Sequence, residues 1–326
     1  MNRQLRKRRL VYVFLLTVSL LLLVLGPRMV QAQQFPTKPI TLVIGANQGG
    51  TADFPARLLS SLAMDYLGQP IILQFKPGAG GIIGNIFVLN TKPDGYTLCW
   101  GITISHSLLP AIEGKPGGPD DFTGVCRLTY QPGSLLTHPN APFKTFKEML
   151  AWAKANPGKL TFGHTGAWGS TDLLWRQIKK ETDIVTKDIP HDGSAPLMAA
   201  LLGGHIMAAG FSAAAAMPYI EAGKLIVLAV ADSQRYPAFP NVPTIKEEGV
   251  DVTSLFWMGI MTPKGTPREI IDQLAVAIKK MVEDKFFVGT MKKMGQDVSY
   301  MGPDEFNKFW RNEYEHYKEL GKRLKK

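Results

Sequence analysis

The sequence predicts an α/β fold built as two lobes, on three observations. Strand-like and helix-like apolar runs alternate along the chain, which argues for largely parallel sheets. The roughly 290 residues beyond an apolar leader exceed the usual size of a single core. Two apolar segments, Val125–Thr137 and Ser254–Met261, are placed to cross between lobes.

The leader itself reads as a secretory signal. Basic residues Arg3, Arg6, Lys7, Arg8 and Arg9 precede an apolar stretch from Leu10 to Leu25, and Val30-Gln31-Ala32 supplies small or modest residues for cleavage after Ala32. Residues 1–32 hold six of the 37 basic side chains and none of the 27 acidic ones, so the remainder carries a net charge of only +4. Nothing in that balance argues for nucleic acid. No later apolar run reaches the ~20 residues that span a bilayer. An exported, soluble product is expected.

Leu42-Val43-Ile44 is a strand that runs into Gly45-Ala46-Asn47-Gln48-Gly49-Gly50-Thr51, with a helix from about Phe54. Asp53 is a first-turn helix acid paired with Arg57 four residues on. The strand Ile71–Phe75 repeats the pattern. It enters Lys76-Pro77-Gly78-Ala79-Gly80-Gly81-Ile82-Ile83-Gly84, and a helical spacing of Ile82, Ile83, Ile86, Phe87 and Leu89 follows. Glycines between a strand and a helix let main-chain N–H groups approach a ligand, and a helix start favours negative charge. Two such loops on neighbouring strands can grip one carboxylate. Thr103, just past the strand-like run Tyr96–Trp100, joins the candidate contacts. Cys99 and Cys126 sit in strand-like runs, and two readings stay open: a disulfide, or two buried thiols.

Helix starts are marked by Thr145-Phe146-Lys147-Glu148, Thr244-Ile245-Lys246-Glu247 and Thr266-Pro267-Arg268-Glu269, each with Thr at the cap and Glu three residues on. Between the crossings, Leu160–Phe162 enters a turn containing Thr165, Gly166 and Trp168, and Ser170 and Thr171 open a helix. Their hydroxyls can cap it, donate to a carboxylate, or do both. Asp192-Gly193-Ser194-Ala195-Pro196 is a further turn that opens a helix. The last helix carries Phe306, Phe309, Trp310, Tyr314 and Tyr317 at a spacing that predicts core contact, and Lys322–Lys326 reads as a solvated, fraying end.

Enzyme motifs are weak. The six histidines have no metal-pair spacing, the two cysteines are too far apart for a paired-ligand site, and neither G-x-S-x-G nor S-x-x-K occurs. Gly78-x-Gly80-x-x-x-Gly84 is only a loose relative of a dinucleotide fingerprint. No catalysis, cofactor or metal is expected.

The order of short motifs resembles the solute receptors of tripartite tricarboxylate transporters, the Bug/TctC family. The resemblance is carried by Phe35–Ile40, Gly49-Gly50-Thr51-Ala52-Asp53 with Ala56-Arg57, Leu67–Pro70, Pro77–Gly81 and Pro93–Leu98 in the first part of the chain. Gly193–Pro196, Leu202–Gly204, Ala222–Lys224, Pro240–Thr244 and Gly265–Pro267 continue it. It implies a periplasmic, type II (Venus-flytrap) binding protein without catalysis, a monomer that passes a small carboxylate to membrane permease subunits. A ligand-sensing co-receptor of a two-component system is the alternative on the same fold. It also implies that Gln48–Asp53 and Gly78–Gly81 hold one carboxylate while Thr165–Thr171 closes from the other lobe. The expected lobes are 33–134 with 256–326, and 135–255. The expected ligand contacts are Gln48, Gly49, Gly50, Thr51, Gly78, Ala79, Gly80, Gly81, Thr103, Thr165, Gly166, Trp168, Ser170, Thr171, Asp192 and Gly193. The chain departs from the family pattern at Ala52, His164, Trp168, His191-Asp192 and Phe211-Ser212. The bulk of Trp168 suggests a flat carboxylate stacked on its ring.

Overall fold

The computed structural model describes residues 35–212, 216–294 and 296–325. The expected signal segment and its cleavage point lie outside these residues. No described helix is long and apolar enough to cross a membrane.

Residues 38–326 gather in one compact unit. Its strands, among the described residues, are β1 Ile40–Ile44, β2 Ile71–Phe75, β3 Thr97–Ile102, β4 Phe122–Thr137, β5 Leu160–His164, β6 Thr186–Pro190, β7 Ala208–Ser212, β8 Ile226–Ala231, β9 Leu255–Pro263 and β10 Val298–Met301. Helices α1 Asp53–Ser61, α2 Ala63–Leu67, α3 Ile82–Leu89 and α4 Leu109–Glu113 precede β4, and α5 Phe146–Ala155 follows it. Helices α6 Ser170–Thr182, α7 Ser194–Leu202 and α8 Met217–Glu221 follow β5, β6 and β7 in turn. Helices α9 Arg268–Glu283, α10 Lys285–Lys293 and α11 Pro303–Leu324 lie beyond β9.

The strand order is β2-β1-β3-β9-β4-β7-β5-β6, with β8 and β10 also on β4. Pairing is parallel among β1, β2 and β3 and among β5, β6 and β7, as the alternating pattern predicts. The two crossing segments, β4 and β9, run antiparallel to their neighbours. The long β4 changes partners along its length. Phe122–Pro132 pairs with β9, and Gly133–Thr137 pairs with β7 and β8. Pro132 has no N–H to give a ladder, so it sits where one set of partners ends. The next N–H, of Gly133, donates to the Ser254 carbonyl at 2.6 Å.

Successive strand residues face opposite sides, and β4 shows the result. Leu135 enters a core with Phe162, Trp175 and Ile178, where the rings of Phe162 and Trp175 stack at 3.8 Å. Leu136 enters another with Leu197, Leu201 and Phe211. On the first group of strands, Val43, Cys99, Phe122 and Trp257 pack against Phe306 and Trp310 of α11, so the aromatic stripe of the last helix is core. Cys99 lies opposite Met261 and Cys126 opposite Ile260, so β9 separates the two strands that carry the cysteines. Both are buried free thiols.

The capping box at Thr145 and Glu148 forms in both directions. Two other helix starts differ from expectation. Thr244 and Glu247 exchange the same reciprocal hydrogen bonds, at 3.0 and 2.8 Å, but close a single turn rather than a helix. Gly249 then turns left-handed, with φ at 92°. At α9 the cap is Pro267, and the Thr266 hydroxyl donates instead to the Pro263 carbonyl at 2.9 Å. The C-terminal end is also more ordered than its composition suggests. Helix α11 continues to Leu324, and the Lys325 ammonium donates to the Ile112 carbonyl at 2.6 Å.

Candidate functional site

Four strand-to-helix corners meet around a cavity of about 310 Å³. The β1 corner contributes Gly45 to Ala52, ahead of α1, and the β2 corner contributes Pro77 to Gly81, ahead of α3. The β5 corner brings Thr165, Ser170 and Thr171 at the start of α6. The β6 corner brings Asp192 to Pro196 at the start of α7. The first two corners touch at their glycines. A Cβ on Gly45 would lie 2.8 Å from the Gly81 carbonyl oxygen, and one on Gly84 would lie 2.9 Å from the Gly45 Cα. Side chains at these positions would push the loops apart.

The β2 corner is a concave run of left-handed backbone. Gly78, Ala79, Gly80 and Gly81 all have positive φ, including 48° at Ala79, which is uncommon for a residue with a side chain. Such runs turn successive N–H groups to one side and form anion-binding hollows. The N–H groups of Thr51, Ala52, Ala79 and Gly80 have no protein acceptor among the described residues. The same holds for Ser170 and Thr171 in the first turn of α6, whose first bonded amide is Leu173, to Gly169. Open donors beside a cavity are suited to an acceptor-only ligand.

Of the residues expected to contact a ligand, Gln48, Gly50, Thr51, Gly78, Ala79, Gly80, Gly81, Thr103, Thr165, Ser170, Thr171, Asp192 and Gly193 line the cavity. Gly49, Gly166 and Trp168 do not. The Gly49 N–H is engaged by Asp53 Oδ2 at 2.7 Å, while Asp53 Oδ1 pairs with Arg57 at 2.6 Å, so Asp53 is structural as its position predicts. The Gly166 carbonyl accepts from the Gly169 N–H, and Trp168 N–H donates to Asp172 Oδ2 at 2.7 Å. That last bond corrects the expected capping: Ser170 and Thr171 lie inside the helix and Asp172 reaches back instead. The Trp168 ring packs with Leu108, Ile112, Leu173, Tyr317 and Leu320, with the Arg176 guanidinium 4.8 Å and the Lys325 ammonium 5.6 Å from its centre. It lies outside the cavity lining and offers a ligand no stacking platform there, contrary to the expectation from its bulk.

Sequence reasoning missed the back wall, Phe256, Trp257 and Met258 on β9, together with Gly210, Phe211 and Ser212 at the end of β7. An apolar crossing strand reads as core, and only its place between the two groups of strands exposes one edge. Gly210 has a steric reason. A Cβ there would meet the Thr171 side chain at 2.8 Å and displace the start of α6. The wall is held from behind. Trp257 N–H donates to the Thr103 hydroxyl oxygen at 2.8 Å, leaving that hydroxyl's own proton to donate elsewhere. The Trp257 indole N–H donates to Glu313 Oε2 at 2.6 Å, and Ser107 donates to the same oxygen at 2.5 Å. Burial pushes the Glu313 carboxyl up to about 7, against the hydrogen bonds that lower it. Burial likewise pulls His106, ringed by Phe122, Trp257 and Trp310, down to about 3, so it is neutral near pH 7.

An α/β fold whose strand-to-helix corners converge on a cavity with open main-chain donors is suited to holding a small anionic solute. The family model of the tripartite tricarboxylate transporter family receptor, TctC, matches residues 56–325, and the chain belongs to that family of periplasmic solute receptors. It is 36% identical over 284 residues to the UPF0065 protein in the gbd 5' region of Cupriavidus necator, covering 87% of this chain and 86% of that one. Rpa4515 of R. palustris, solved with adipate, superposes with a TM-score of 0.82 at 26% identity, covering 89% of this chain and 98% of that one. MatC (Rpa3494) of Rhodopseudomonas palustris, solved with bound malate, superposes at 0.79 and 26% identity, covering 88% and 100%.

Proposed function

We propose that this protein is an exported receptor that binds a small organic carboxylate in the cavity between its two groups of strands and presents it to membrane permease subunits. The observation that carries the reading is the set of N–H groups at Thr51, Ala52, Ala79 and Gly80 that have no acceptor among the described residues, beside a cavity with no cationic side chain among its described lining residues. A carboxylate is an acceptor with two oxygens and several lone pairs, and main-chain amides can satisfy it without bringing a counter-charge. Relatives crystallised with adipate and with malate support the same ligand class.

Each charge-assisted hydrogen bond contributes roughly 1.5–3 kcal/mol. Three or four of them, less the cost of immobilising the ligand, give binding near −8 kcal/mol, about micromolar. Residues 33–134 with 256–326, and residues 135–255, act as lobes. A ligand touching both favours the closed arrangement because it gains contacts only there. Amides do not titrate, so affinity changes little between about pH 6 and 8.

A thermal-shift and calorimetry screen tests this, using aliphatic, aromatic and amino-acid carboxylates beside their primary amides. Carboxylates are expected to raise the melting temperature and the matched amides to leave it unchanged. Equal shifts from acids and amides, or none from any acid, would overturn the reading.

A further inference from the structure

Taking the carboxylate reading as its basis, we infer that the ligand carries a single carboxylate and presents a hydrogen-bond donor, a hydroxyl or an ammonium, to Asp192 at its other end. Among the described residues, Asp192 is the only ionisable side chain that lines the cavity.

Acids stand near three of the four helix starts around the cavity, and their surroundings differ. Asp53 at α1 is paired with Arg57 at 2.6 Å, and Asp172 at α6 is paired with Arg176 at 2.8 Å. The start of α3 has no acid in its first turn, and the open amides of Ala79 and Gly80 stand just before it. That corner is the place for the ligand's negative charge. Asp192 precedes Gly193, the cap of α7, and has neither an ion pair nor a hydrogen bond among the described residues. Among the described residues it is the one acid of the three with no cationic side chain paired to it.

The lining also carries the apolar side chains of Ile102, Ile104, Phe211, Phe256 and Met258, beside hydroxyls such as those of Thr103, Thr165 and Ser212. A carbon chain or ring fits there. A second carboxylate at the far end would meet Asp192 with no cation to compensate, and closure would remove the water that screens the two charges. A hydroxyl or ammonium in that place would satisfy the Asp192 oxygens instead. The chain would therefore select against the diacids that its relatives were crystallised with, by a repulsive element as well as an attractive one.

The test is calorimetric titration of the protein with hexanoate, 6-hydroxyhexanoate, 6-aminohexanoate and adipate, and with their shorter and longer homologues. Wild type is compared with Asp192→Asn and Asp192→Lys. The hydroxy and amino acids are expected to bind about tenfold or more tightly than the diacid of equal length. Asp192→Asn should shrink that ratio, and Asp192→Lys should invert it. Because Asp192 is exposed, melting of the free variants should match wild type and so exclude a folding defect. If the diacid binds as tightly as the hydroxy and amino acids, or if the ratio is the same in all three proteins, the inference fails while the carboxylate reading stands. If no acid of any length binds wild type, both fail together.

Discussion

The indole N–H of Trp257 and the carboxylate of Glu313 meet at 2.6 Å, and this contact ties the cavity's back wall to the last helix. Burial raises the Glu313 carboxyl from its ordinary 4.5 to about 7. The folded chain therefore keeps a proton that the unfolded chain has released. Stability falls as pH rises from about 4.5 to about 7 and then levels, by an amount on the order of 3 kcal/mol. Glu313→Gln keeps an acceptor for Trp257 and removes the titration. Urea unfolding at about pH 5 and about pH 7.5 should show a smaller loss in the variant than in wild type. Equal losses would mean that Glu313 titrates normally.

A methyl group at Gly45 is predicted to damage both fold and site. It would strike Gly81 backbone atoms at 2.8 and 2.9 Å, which cannot rotate away as a side chain would. Gly45→Ala should lower stability by about 1–3 kcal/mol and weaken ligand binding by about tenfold. Gly289→Ala is the control. It lies within α10 with nothing within 4 Å of a new Cβ, and it should leave binding intact and raise stability by about 0.5–1 kcal/mol.

Ser170 and Thr171 line the cavity without capping α6, since the reaching acceptor there is Asp172. Ser170→Ala and Thr171→Ala should each weaken carboxylate binding by about 0.5–1.5 kcal/mol while the free protein melts within a degree or two of wild type. Thr171 has one internal role, accepting from the Thr165 N–H at 3.4 Å, a long bond that should contribute little. A sharp fall in melting with unchanged affinity would assign both hydroxyls to the scaffold.

Cys99 and Cys126 are fully enclosed, and burial pushes both thiols far above their ordinary range. Neither should react with a water-soluble disulfide reagent in the native protein, and both should react after denaturation without added reductant. A single fast thiol, or none after denaturation, would contradict the arrangement around β9.

Much of the site was legible because strand-to-helix corners rich in glycine have few other uses. Gln48–Thr51 and Gly78–Gly81 come together because β1 and β2 pair in register, Ile44 beside Phe75, and the pairing of parallel neighbours follows from the alternating pattern. What escaped depended on partners far away in the chain. Thr266 looked like a cap, yet Pro263 offers its hydroxyl a nearer acceptor. Thr244 and Glu247 made their reciprocal bonds without a helix to follow, because local chemistry starts a turn but only packing extends it. Trp168 seemed poised for the cavity, but α11 supplies an apolar seat elsewhere. Phe256 and Met258 carried no sign of a ligand wall, since one apolar strand reads like another until its neighbours are known.

On the proposed reading, the groups that hold the solute belong to the peptide backbone, and that shapes how the protein can drift over evolutionary time. Mutation cannot delete an amide hydrogen except by introducing proline, so the grip persists through most substitutions. The vulnerable letters are few: those where the two corners leave no room for even one extra carbon. The acid at the rim and the apolar side chains of the wall that face the cavity can change more readily, so on this reading a lineage can exchange one solute for another without rebuilding the clasp.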